Sequence, residues 1–286
     1  MIRVTAVSHY FAPLSDGEPL PSLDAAVREV CVEPYRRIDR FVQLALLGSG
    51  RCAAGRALAT DCGLYMGSGL GPMGSNVLTQ EQLGRDREAP MPFNFINTLG
   101  SSAGFYVGKN LKLSGQNFFV SRRGANLTAL LNMAMADLEL GVVKQALLGV
   151  VEEATQPLED HRLRQHLPAD RTVAEGSHWL LLEKDATTGR TLGEQRFAEP
   201  EALDAALKRA WRPGDRLVDV PRMEEKVRGA LRKDFASAIP DDPREPFHDS
   251  LDAAHVTAAL AADAVGSVFM VEGEPGRGYG LFHFRA

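Results

Sequence analysis

Cysteine is scarce in this chain: Cys31, Cys52 and Cys62 are the only three in 286 residues. An odd count with no Cys-x-x-Cys spacing excludes a disulfide scaffold, gives no structural zinc site, and fits a reducing compartment. An excess of basic residues is also missing. Lys+Arg 32 against Asp+Glu 37 leaves a net charge of -5, which argues against nucleic acid as the main partner. No apolar run approaches the ~20 residues of a bilayer span. The start, MIRVTAVSHYF, lacks the basic and long apolar parts of a signal peptide. A cytoplasmic protein with no membrane contact is therefore expected. There is no low-complexity linker, and with 44% hydrophobic and 24% charged residues the composition is that of a single folded domain.

What is present is an alternation of short β-like runs and helical patterns, which predicts an α/β architecture. Strands are expected at 4–9, 64–67, 117–120, 146–151, 179–182, 217–220, 268–271 and 280–284, several of them apolar on both faces and so covered on both sides. Leu127, Leu130, Leu131, Ala134, Met135 and Leu138 fall on one helical face, and Gly141 follows as a C-cap. A second helix, rich in small residues, is expected over 251–265, and two more at 203–210 and 223–235. The polar stretches 156–175 and 236–246 read as loops.

The two core helices open similar units. The first runs from Leu127 to a strand at Ala146 and a second at Trp179. The other runs from Leu251 to a strand at Val268 and a second at Gly280. This spacing suggests an internal duplication within one domain, 1–286, with pseudo-repeat halves of about 1–190 and 191–286.

Four local patterns then carry a resemblance. The stretch 36–46 (RRIDRFVQLAL) resembles the early helix of β-ketoacyl synthases, and 64–71 (LYMGSGLG) the strand and glycine-rich turn after it. The stretch 111–121 (LKLSGQNFFVS) resembles the approach to the nucleophile elbow, and 174–183 (AEGSHWLLLE) the family's Gly-Glu-Gly-Ala strand. The resemblance implies a thiolase-like five-layered α-β-α-β-α fold, here with a shortened second half, and normally a dimer.

The chemistry does not carry over. The elbow reads Ser121-Arg122-Arg123-Gly124-Ala125-Asn126, with Gly124 at the expected nucleophile position, where the family has a cysteine. The strand that precedes the family's His-Gly-Thr-Gly-Thr turn is followed here by Pro221-Arg222-Met223-Glu224. At the second histidine, matching Ala253-Ala254 to the family's small pair puts Asp249 on the position, and His248 is a vestigial histidine beside it. No catalytic residue is therefore expected. Arg122 and Arg123 read either as solvated charges or as a filling for the vacant pocket. Gly67, Gly69, Gly71 and Gly74 lack the partners of a phosphate loop and read as tight turns. His161 and His166 have no third ligand and read as solvated, so neither a metal nor a cofactor is expected.

The resemblance then implies a catalytically silent ketosynthase-like subunit, similar to the chain-length factors of type II polyketide and aryl polyene synthases. An active β-ketoacyl synthase would be its heterodimer partner, and an acyl carrier protein would dock through that partner. The interface is expected at the edge strand Gln116, Asn117, Phe118, Phe119 and Val120. Phe93, Phe95, Phe119 and Met133 are expected to line the acyl tunnel. Two other readings stay open. One is a stand-alone thioester hydrolase, transferase or decarboxylase using Ser121 or His248. The other is a homodimeric structural or acyl-binding protein.

Overall fold

The computed structural model describes residues 1–219, 223–236, 245–262, 266–274 and 276–286. Strand β1 (Ile2–Pro13) begins with strict alternation, and Ile2, Val4 and Ala6 are buried. It pairs antiparallel with β5 (Ala174–Lys184), which in turn pairs antiparallel with β4 (Gln145–Glu152). Beyond β4 lie β2 (Gly63–Ser68) and the edge strand β3 (Asn117–Ser121), both parallel to it. On the other side, β1 meets β6 (Arg190–Phe197) at only two positions, Arg3 with Thr191 and Val4 with Arg190. From β6 the sheet continues through β9 (Gly278–Arg285) and β8 (Val268–Glu274) to β7 (Arg216–Asp219). The nine strands among the described residues thus fall into a group of five and a group of four, joined by that short contact.

The helices sort into three layers because strand side chains alternate between faces. Outside the five-strand group, α1 (Asp24–Val30), α2 (Arg40–Ala53) and α5 (Gly100–Leu111) share a core with the sheet through Val27, Phe41, Leu47, Met66, Val107 and Trp179. Between the groups lie α6 (Asn126–Leu140) and α10 (Leu251–Ala261). Their core joins Leu131 and Val256 to Leu148 and Leu180 of one group and Met270 and Phe282 of the other. Outside the four-strand group, α8 (Pro200–Ala210) and α9 (Glu225–Asp234) cover Leu217, Phe269 and Leu281. The result is the five-layered α-β-α-β-α arrangement expected from the resemblance. Three more helices lie among the described residues. They are α3 (Met73–Glu81), which continues into a π-turn at Gln82–Asp86, then α4 (Pro92–Asn97) and α7 (Leu158–Gln165).

Two expectations are corrected. The stretch 156–175 is not all loop, because it contains α7. His161 on α7 is buried rather than solvated, with Nδ1 3.2 Å from the Thr155 hydroxyl. Strand β6 was not expected from the sequence. Val220 of the expected strand 217–220, residues 263–265 of the expected helix, and 237–244 of the expected loop lie outside the described residues.

Candidate functional site

Strand β3 delivers the chain to the elbow at Ser121, and α6 begins at Asn126. The turn between needs two left-handed residues, Gly124 at φ +67° and Ala125 at φ +52°. Glycine takes that conformation at no steric cost, and at Gly124 it leaves no side chain to act as a nucleophile. Ser121 is exposed and has no histidine partner among the described residues.

Beneath the elbow, β4 ends in Glu152, which is buried. Its carboxylate accepts hydrogen bonds from the Gly69 N–H (2.6 Å), the Ser68 hydroxyl (3.1 Å) and the Ser250 hydroxyl (2.5 Å). Asn126 donates to Ser250 Oγ (3.1 Å) and to the Arg122 carbonyl (2.8 Å). One acid thereby ties β2 and the starts of α6 and α10 together. Burial pushes the Glu152 carboxyl up to about 7, aided by the charge of Asp249 and opposed by the three hydrogen bonds. Its neighbour Glu153 accepts from the Gly74 N–H at 2.6 Å. Burial and the Asp39 charge raise it to about 8. The Gly71 N–H donates to the Ser68 hydroxyl (2.8 Å), so the glycine-rich turn spends the N–H groups of Gly69, Gly71 and Gly74 on internal acceptors.

Asp249 occupies the space above. A Cβ on Gly69 would fall 2.4 Å from the Asp249 Cβ, so only glycine permits this approach. Arg123 Nε stands 3.5 Å from Asp249 Oδ2, while its Nη atoms donate to Gln165 and to the Arg164 carbonyl. The arginine thereby joins the elbow to Asp249 and to α7, with about half of its side chain exposed. At the end of β7, Asp219 is fully buried and held by Arg228 (2.8 Å) and Arg232 (3.1 Å) of α9.

His248 adjoins this net at Ser250. Its Nδ1 accepts the Ser250 N–H (3.1 Å), so a neutral ring carries its proton on Nε2. That Nε2 is 3.1 Å from His178 Nε2 on β5 and donates to it. His178 must then carry its proton on Nδ1, which donates to Thr257 Oγ1 at 3.3 Å. The Thr257 hydroxyl donates to the Ala253 carbonyl (2.7 Å) and accepts from His9 Nδ1 (3.0 Å). Every tautomer in the chain is fixed by the next. A second proton on His248 or His178 would set two N–H groups against each other. Burial lowers the His248 pKa to about 3 and the His178 pKa well below its usual value. This fixed pairing leaves His248 no free nitrogen with which to activate Ser121 or a thioester.

The cysteines lie elsewhere. Cys52 and Cys62 are buried in the outer core of the five-strand group, and burial pushes both thiols up to about 12. Neither is a ready nucleophile.

The expected interface and tunnel residues divide. Asn117, Phe118, Phe119 and Val120 lie on β3 at the end of the sheet, with Asn117 and Phe118 exposed, while Gln116 precedes the strand. Phe93 and Phe95 lie exposed on α4, and Phe93 borders a 660 Å³ groove with Met91, Leu78 and Glu153. Phe119 packs edge-on to Phe41, on the α2–α5 side of the sheet. Met133 packs into the central layer, so the sheet separates it from Phe119. Sequence reading missed the histidine chain and the Glu152 net. Their members are far apart in the chain, and no local spacing announces them.

No family model and no curated protein matches this sequence. Solved structures do match. The ishigamide ketosynthase/chain length factor aligns over 99% of both chains at 16% identity, with a TM-score of 0.70. A structure described as AntDE:AntF, a type II polyketide synthase acyl-carrier protein with its ketosynthase, aligns over 100% of this chain and 99% of that one at 11% identity, TM-score 0.63. The ketosynthase ApeO with its chain length factor ApeC, from Xenorhabdus doucetiae, aligns over 69% of this chain and 84% of that one at 18% identity, TM-score 0.50. No described helix is long and apolar enough to cross a membrane. The chain has the thiolase-like fold of the β-ketoacyl synthases.

Proposed function

We propose that this protein is a catalytically silent ketosynthase-like subunit, a chain-length factor that pairs with an active β-ketoacyl synthase and shapes its acyl or polyketide tunnel. The observation that carries the reading is the elbow. A turn leads from β3 into the central helix, Gly124 in it carries no side chain, and Arg123 and Asp249 stand beside it in contact with each other; Gly124 is read as the vacant nucleophile position. The solved relatives whose descriptions name a ketosynthase with its chain length factor support the pairing.

The partner surface is read as the free edge of β3 together with α4 and α5. Met91, Phe93, Phe95, Leu99, Phe105 and Phe118 are all exposed there. So many large apolar groups on one side are uncommon on a monomer and typical of a partner-covered face. An open edge strand also offers unpaired backbone groups to a strand of the partner. The acyl carrier protein would reach the pair through the active subunit. The helix–strand–strand units built on α6 and α10 are read as the pseudo-repeat of one domain. Type II polyketide or aryl polyene synthesis is the proposed setting, with Phe93 and Phe119 the first candidates to meet the growing chain.

Co-expression with an active β-ketoacyl synthase from the same source tests the reading. A stable 1:1 complex by light scattering, with acylation confined to the partner, is expected. Acyl loading or thioester turnover by the isolated chain would overturn it.

A further inference from the structure

On the outer face of the four-strand group, far from the elbow and from β3, the layer between sheet and helix is incompletely filled. Strand β6 presents Gly193 there, and a Cβ built on it meets no atom within 4 Å. Helix α8 answers with Ala206 and Ala210. A 450 Å³ cavity is left between them, within the usual range of small-molecule sites.

Its walls have a definite chemistry. His283, opposite Gly193 in the β6–β9 register, stacks on Phe269 at 4.0 Å between ring centroids with 20° between planes. Trp211 stacks on Phe269 in turn, at 5.5 Å. This gives the cavity a rigid aromatic wall. Two guanidinium groups, Arg209 of α8 and Arg285 of β9, also line it. Neither pairs with a carboxylate among the described residues; Arg285 Nη2 is 3.5 Å from His283 Nδ1. Glu194, the one acidic residue of the lining, is engaged by Arg196 Nε. A planar aromatic wall, a floor of small residues and two uncommitted cations are the complement of a flat ring bearing a negative group.

We propose that this cavity binds a small aromatic carboxylate, its ring lying in the gap over Gly193 beside His283 and its carboxylate held by Arg209 and Arg285. The site is independent of the partner surface, and the test does not require the partner.

Calorimetric titration of the full-length chain with 2-naphthoate reads it directly. Saturable 1:1 binding is expected. Gly193→Leu, which fills the floor, and the double variant Arg209→Gln with Arg285→Gln, which removes exposed charges without touching the core, should each weaken binding about tenfold or more. The uncharged 2-naphthalenemethanol should bind at least about tenfold more weakly than the acid. Thermal melting of the arginine variant should match the unsubstituted chain. Absence of saturable binding at millimolar probe, binding unchanged in both variants, or equal affinity for acid and alcohol would each overturn the proposal.

Discussion

The buried titratable residues of this chain set a pH profile with two opposed arms. The buried histidines His161, His178 and His248 have folded pKa values below the unfolded 6.5, about 3 for His248. The native state therefore binds fewer protons than the unfolded chain. Stability present above pH 6.5 is lost as pH falls toward 3, by up to roughly 1.4 kcal/mol per pH unit and histidine. The acids act the other way. Glu152 and Glu153 are raised to about 7 and about 8. Their contribution is complete below 4.5 and is lost as pH rises through that value toward 8. Glu153→Gln stays neutral and still accepts from Gly74, so it flattens the alkaline arm. Urea midpoints between pH 5 and pH 9 should then fall less than in the unsubstituted chain, and an equal fall would acquit Glu153. In the histidine chain, Thr257→Val strands the N–H groups of His178 and His9. A loss of about 1–3 kcal/mol is expected in chemical denaturation; a neutral result would mean that water or a rotated ring replaces the hydroxyl.

Among the elements, legibility followed burial. Strands β2, β4 and β8 and helix α6 declare themselves because both faces are apolar, or because one helical face repeats cleanly. Strand β6 (RTLGEQRF) does not. Leu192 is its only fully buried residue, since Gly193 borders a cavity and Arg196 reaches to Glu194 and Glu272 at its polar end. Helix α7 hides for a related reason. What it buries includes His161, Arg162 and Gln165, polar residues that look solvated until their partners are known. Helix α4 carries its large apolar residues outward, where a periodicity argument does not expect them. If the proposed pairing holds, Phe95→Asp with Phe105→Asp should leave the melting temperature nearly unchanged while abolishing capture of the proposed ketosynthase partner. Retained capture would move the interface elsewhere. Phe119 differs, being packed on Phe41 and so close to Gly100 that a Cβ there would meet its ring. Phe119→Ala should cost about 2–4 kcal/mol. A change in product length beyond that loss would assign the ring to the tunnel, and unchanged length would leave it as core.

For the whole molecule, the bare Gly124 raises the question of whether a cysteine side chain there would confer condensing activity. The surroundings answer against it. The start of α6 would favour a thiolate through its dipole, so Gly124→Cys should give a thiol that iodoacetamide alkylates. The variant carries strain, because a side chain is placed at φ +67°, costing about 1–2 kcal/mol. Condensation also needs groups that polarise the acyl carbonyl and stabilise the enolate. Here Asp249 is neutralised by Arg123, His248 is committed to His178 and Ser250, and Asp219 is clamped by two arginines. Restoring sulfur restores none of these. Gly124→Cys, assayed alone with an acyl carrier thioester and a malonyl donor, should at most self-acylate and form no carbon–carbon bond by mass spectrometry. Detection of a condensation product would show that the histidine chain or the Glu152 net can still do chemistry, and the reading of this subunit as purely architectural would have to be abandoned.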